Sequence, residues 1–158
     1  SRLFGKRSLY QLVAQVLHDT GLDPARLEVE VTESAVMEDP EVALEQLHRL
    51  RELGLQLAID DFGTGYSSLL RLKRLPVQKL KIDQGFVAGL PHDDDDVAIV
   101  RVIIALAQSM GMQVHAEGIE QVEQARFLLE QDCDMGQGYW FGRPMPAEEL
   151  DWSRAPAI

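Results

Sequence analysis

Apolar residues at positions 9, 12, 13, 16 and 17 repeat at the spacing of one helix face, and they predict a helix over 8–20 that stops at Gly21. After Asp23-Pro24 the pattern changes. Leu27-Glu28-Val29-Glu30-Val31-Thr32 alternates apolar and polar, the period of a strand. Asp39-Pro40 then supplies an N-cap and a first-turn proline. Apolar positions 42, 43, 44, 47 and 50 carry a second helix to Gly54. Residues 55–59 read as a strand, 67–74 as a short helix and 77–82 as a third strand. A long helix is expected from about 95 to 110, starting in the acidic run Asp93 to Asp96, where the helix dipole favours anions. Residues 112–116 read as a strand, 119–131 as a helix and 133–142 as a last glycine-rich strand. A short helix is expected at 147–151. This strand–helix rhythm with short loops predicts a parallel α/β architecture without a domain boundary.

The chain has 158 residues, of which 46% are hydrophobic and 26% charged, so a packed core is expected and general disorder is not. The formal net charge is −11, from 15 Lys+Arg and 26 Asp+Glu. No basic stripe is present, so no duplex nucleic acid is expected as a partner. The acidity is compatible with carboxylates gathered around cations, and bound cations can admit an anionic substrate. Cys133 is the single cysteine, so no intrachain disulfide is expected and a reducing compartment is. No apolar run approaches the ~20 residues of a membrane helix, and the N-terminus has neither a signal-peptide core nor an initiator methionine.

Glu30, Asp60, Asp61, Lys81 and Glu117 each fall at the C-terminal end of a predicted strand. Parallel strands direct those ends to one face, where barrels place their active sites. Four carboxylates that close repel one another and raise one another's pKa values. Divalent cations remove the repulsion, and oxygen donors suit Mg²⁺ or Mn²⁺. One aspartate can bridge two metals while its neighbour serves only one, which gives the second aspartate of Asp60-Asp61 a role. Taken singly, each residue has a plainer reading. Asp-Asp can be a helix cap with a solvated charge. Lys81 can be a surface lysine, Glu30 an outward strand position, and Glu117 a cap of helix 119–131. Glu33 can hydrogen-bond to the glycine loop Phe62-Gly63-Thr64-Gly65-Tyr66-Ser67-Ser68, or simply start a helix. His115 reads as a packed strand histidine and Cys133 as core. At least two of Tyr139, Trp140 and Phe141 are expected in apolar packing, with base stacking as the other use.

Five ordered stretches resemble the EAL-domain family of cyclic di-GMP phosphodiesterases. They are Leu27-Glu-Val-Glu-Val-Thr-Glu-Ser34, Ile59-Asp-Asp-Phe-Gly-Thr-Gly-Tyr-Ser-Ser-Leu69, Leu80-Lys-Ile-Asp-Gln-Gly-Phe-Val87, Ala116-Glu-Gly-Ile-Glu120 and Gly136-Gln-Gly-Tyr-Trp-Phe-Gly-Arg-Pro144. The resemblance implies a (β/α) TIM-type barrel that hydrolyses cyclic di-GMP to pGpG with Mg²⁺ or Mn²⁺. It implies Glu30, Asp60, Asp61 and Glu117 as metal ligands, with Asp60 bridging and Asp61 on the second metal. Lys81 would contact the attacking water, and Glu117 would complete the second metal's shell or act on that water. Glu33 would hold the 61–68 loop, through which a homodimer is expected. Gln137 would lie near water or substrate, and Asp83 would be structural. The Glu-Ala-Leu motif and the asparagine of the next strand, both ligands to the first metal in the family, are absent. Residues 1–158 are therefore expected to be a single EAL domain incomplete at its N-terminus, roughly two-thirds of a barrel of about 250 residues. Upstream regulatory domains and a bacterial cytoplasmic location are expected, with any membrane anchor lying outside this chain. Little or no phosphodiesterase activity is expected from the chain alone.

Three other readings compete. A degenerate or truncated EAL module would bind cyclic di-GMP without cutting it. A barrel aldolase would use Lys81 as a Schiff-base lysine, although flanking carboxylates favour its protonated form. A pure scaffold would not need the five motifs.

Overall fold

The computed structural model describes residues 9–63 and 69–150. Five strands form one parallel sheet in sequence order: β1 (Glu28–Thr32), β2 (Gln56–Phe62), β3 (Lys79–Ile82), β4 (Gln113–Ala116) and β5 (Met135–Gly136). The connecting helices are α1 (Leu9–Thr20), α2 (Glu33–Glu38), α3 (Pro40–Glu52), α4 (Leu69–Leu72), α5 (Gln84–Ala88), α6 (Asp94–Ser109) and α7 (Val122–Glu130). Parallel neighbours in sequence order, each joined by a helical crossover, are the unit from which a (β/α) barrel is built.

Alternation along the strands divides the sheet into two faces. Leu57, Ile59, Leu80, Ile82, Val114 and Ala116 are buried on the helix-covered face. They meet Ala43, Leu47 and Leu50 of α3 and Val100, Ile103, Ile104 and Ala107 of α6 in one core. Full burial of each Leu or Ile there is worth about 1.5–3 kcal/mol. The other face carries the charged positions of the same strands. The expected caps are in place: Asp39 Oδ1 accepts from Val42 N at 3.3 Å, and Asp93 Oδ1 accepts from Asp95 N and Asp96 N at 3.0 and 3.1 Å.

The structure corrects several of the expected elements. α2 and α5, of 6 and 5 residues, were not foreseen, because one and a half turns give too little periodicity to register. The last strand is only Met135–Gly136, and 138–142 turns away through Phe141 N→Gly138 O at 3.1 Å. Gly138 causes that turn: a Cβ there would overlap the backbone of Ile119. Tyr139, Trp140 and Phe141 are consequently exposed at 51, 37 and 37%, not packed in a strand. The helix expected at 67–74 is Leu69–Leu72, with 67–68 outside the described residues, and the one at 147–151 is a 3₁₀ turn, Ala147–Glu149, with 151 also outside them.

Candidate metal centre

Consecutive strand residues point to opposite faces, so Asp60 and Asp61 in a regular β2 would diverge. The backbone prevents this. Pairing with β1 runs on regularly to Thr32↔Asp60, but pairing with β3 slips between Ile59 and Phe62. Asp61 takes φ 53°, the left-handed region that a short polar side chain tolerates better than most. Such a bulge re-aims a side chain. Carboxylate oxygens of Asp60, Asp61 and Glu117, the last just beyond β4, lie within 4.8 Å of one another.

Lys81 stands among these acids, 4% exposed. Its Nζ lies 2.6 Å from Glu117 Oε1, 2.7 Å from Glu30 Oε2 and 3.1 Å from Asp60 Oδ1. Burial alone would lower its pKa. The hydrogen-bonding carboxylates of Glu117, Glu30 and Asp60 outweigh that and hold the ammonium well above the ordinary lysine range. Asp60 Oδ1 is buried and, among the described residues, has no well-directed hydrogen-bond donor, with Lys81 Nζ at 3.1 Å. Desolvation first, then the charges of Asp60 and Asp83, push the Asp61 carboxyl above its usual range. A buried carboxylate oxygen without a directed donor, next to an acid kept from ionising easily, fits a divalent cation, which prefers hard oxygen donors. The four carboxylates named from the sequence are thus brought together, three by direct approach and Glu30 through Lys81.

Glu33 lies outside this cluster. It is 3% exposed at the start of α2, and its Oε2 accepts from Gly63 N at 3.0 Å, which ties α2 to the turn after the double aspartate. Residues 64–68 of the loop it was expected to hold lie outside the described residues. Gln137 does not join the acids either. With Gln84, Glu117, Gly118, Glu120 and Tyr139 it lines a cavity of about 300 Å³ that opens beside Glu117. Asp83 caps α5, accepting from Gly85 N at 2.8 Å, and stands near enough to Asp61 to help raise its pKa. The sequence suggested only a structural role for Asp83, and its position two residues beyond Lys81, just past the end of β3, was the available signal. His115 pairs in register with Lys81 and leaves Nδ1 without a partner. Burial, then Lys79 and Lys81, hold its pKa below the usual value.

A sequence model of the EAL domain matches residues 1–144. The chain belongs to the EAL-domain family. Among its relatives is the bifunctional diguanylate cyclase/cyclic di-GMP phosphodiesterase MucR of Pseudomonas aeruginosa, 48% identical over 93% of this chain and 22% of that protein. The chain thus spans about a fifth of the length of this curated relative. A solved structure described as the PaMucR phosphodiesterase in complex with c-di-GMP superposes with a TM-score of 0.90, at 47% identity, covering 94% of this chain and 60% of that one. A manganese and cyclic di-GMP complex of Klebsiella pneumoniae BlrP1 superposes at 0.82, with 33% identity, over 90% of this chain and 36% of that one. The fold is therefore the α/β TIM-type barrel of EAL domains, seen here as five adjoining parallel strands. No helix among the described residues is long and apolar enough to cross a membrane.

Proposed function

We propose that the EAL domain represented by this chain hydrolyses cyclic di-GMP to pGpG with Mg²⁺ or Mn²⁺. One observation carries the reading: the left-handed bulge at Asp61 turns two consecutive carboxylates toward Glu117, within 4.8 Å. A helix cap or a solvated charge pair gains nothing from that strain, whereas a multidentate metal site requires the convergence. Asp60, Asp61 and Glu117, with Glu30 beside Lys81, would hold the divalent cations. Bound divalent cations would clamp the phosphodiester and supply a nucleophile from water near neutral pH.

This chain's own residues do the rest. Lys81, held as an ammonium, donates hydrogen bonds to the attacking water or to a phosphoryl oxygen and keeps the four acids from repelling apart. Its raised pKa disfavours the neutral amine that Schiff-base chemistry needs, which counts against the aldolase reading. Glu117 sits close enough to Lys81 to share the water it orients. Glu33 steadies Gly63 and the bulge above it. Gln137 borders the cavity beside Glu117, where substrate would approach. Homodimerisation through the 61–68 region and regulatory domains elsewhere in the protein belong to the same proposal, and the much greater length of the curated relative supports the latter.

The test follows pGpG by chromatography after cyclic di-GMP is added with Mg²⁺ or Mn²⁺ to the intact domain. The expected result is product that Asp60→Asn abolishes. Cyclic di-GMP bound but left uncut would instead identify a binding module.

A further inference from the structure

A second ion pair lies two residues back along the same strands, outside the metal-binding cluster. Lys79 Nζ is 2.6 Å from Glu28 Oε2, much as Lys81 Nζ is 2.7 Å from Glu30 Oε2. The sequence carries the pattern twice: Glu28-Val29-Glu30 on β1 and Lys79-Leu80-Lys81 on β3. Alternation puts both glutamates on one face of β1 and both lysines on one face of β3. These strands are not neighbours. β2 lies between them, and Ala58 is the register partner of both Glu30 and Lys79. Each pair therefore reaches across β2 from one flank to the other, and the methyl of Ala58 leaves room for the crossing.

The location gives the pair a task. β1 pairs with β2, which lies between it and β3. It supplies Glu30, the one carboxylate of the four that does not approach the Asp60-Asp61-Glu117 group directly. Unlike an exposed surface salt bridge, whose worth is small, this one has a lysine side chain only 15% exposed. Its removal would break the tie that joins β1 to β3 across β2.

We propose that Lys79 and Glu28 are a positioning pair for the metal centre, which hold β1 so that Glu30 meets Lys81 and the cation. The inference rests on the metal-centre reading above. Groups that orient metal ligands from behind typically change metal affinity by about 10–100-fold when lost.

The experiment measures Mn²⁺ affinity of the intact EAL domain by the paramagnetic resonance of free Mn²⁺, with thermal melts of every variant. Lys79→Met and Glu28→Gln are each expected to weaken Mn²⁺ binding about tenfold, and the double variant by no more than either alone, because the two act as a unit. Lys79→Arg, which keeps the charge, is expected to bind as the parent does. The double variant removes both charges together, so it is the one expected to melt near the parent and to separate positioning from unfolding. Parent-like Mn²⁺ affinity in the single variants, or losses that multiply in the double variant, would overturn the inference while leaving the metal centre intact. A parent domain that takes up no Mn²⁺ would instead overturn the metal-centre reading, and this inference with it.

Discussion

Asp61 shows how one residue's backbone decides the chemistry of its neighbours. With φ at 53° it stands in a region that costs an aspartate roughly 1–2 kcal/mol, and the cost brings its carboxyl beside Asp60 and Glu117. Lys81 offsets part of the resulting repulsion, and a cation would offset the rest. Cys133 is the opposite case, a titratable group that the fold keeps inert. Its Sγ lies 3.3 Å from Met135 O and 3.7 Å from Val114 O, and burial pushes its thiol up from 9.0 to about 11. A raised thiol pKa keeps the group protonated at every pH below that value. At pH 8 the two-unit difference, 11 − 9, cuts the thiolate fraction about 100-fold relative to an unfolded chain. Alkylation by iodoacetamide at pH 8 is therefore expected to be slower by that order in the folded protein than in urea. The folded rate should climb through pH 10 to 11. Equal rates in both states, followed by mass spectrometry, would contradict the assignment.

At the scale of elements, Gln124 holds the loop that carries Glu117. Its buried amide uses both ends. Oε1 accepts from Glu120 N and Gln121 N at 2.8 and 2.9 Å, while Nε2 donates to Val87 O at 3.0 Å. The start of α7 is thereby fastened to the end of α5, whose N-terminus Asp83 caps. Gln124→Ala strands the buried Val87 carbonyl and two part-buried backbone donors, and each such group costs up to about 1–3 kcal/mol. The expected loss is about 2–4 kcal/mol in urea denaturation, with the midpoint lowered and the slope unchanged. A loss below about 0.5 kcal/mol, the range of ordinary surface substitutions, would show that the latch is not structural. Gly138 serves the neighbouring connection, where only the absence of a Cβ lets the chain pass Ile119 and turn out of β5.

For the whole molecule, the net charge of −11 and the convergence of acids on one face of the sheet make cation binding a stability term. A ligand that binds only the folded state stabilises by about 2.7 kcal/mol at a hundred times its dissociation constant. The melting temperature is expected to rise with Mn²⁺ and to fall again on chelation, while Asp60→Asn stays flat. A parent whose melting is indifferent to Mn²⁺ across the millimolar range would count against the site.

Much of this protein was legible before any coordinates. The apolar period of 42, 43, 44, 47 and 50 fixed α3, because a helix long enough to repeat its face announces itself. The first strand showed through alternation, the next three as short apolar-rich runs between helices, and the five motifs named the family. Short elements stayed hidden: α2 and α5 are too brief to establish a period, and 133–142 looked like a strand because its aromatics and glycines fit one locally. Only the tertiary structure decided three further things. It set the left-handed turn at Asp61, which depends on a register slip against β3 that no local sequence dictates. It placed Lys81 among Glu30, Asp60 and Glu117, groups drawn from four strands. It also paired Lys79 with Glu28 across β2, although the charges had stood in plain alternation on both strands. The sequence determined which side chains each strand presents, because alternation is local. Which of them meet was decided by the packing of strands distant in sequence, where register, twist and one bulge set the distances.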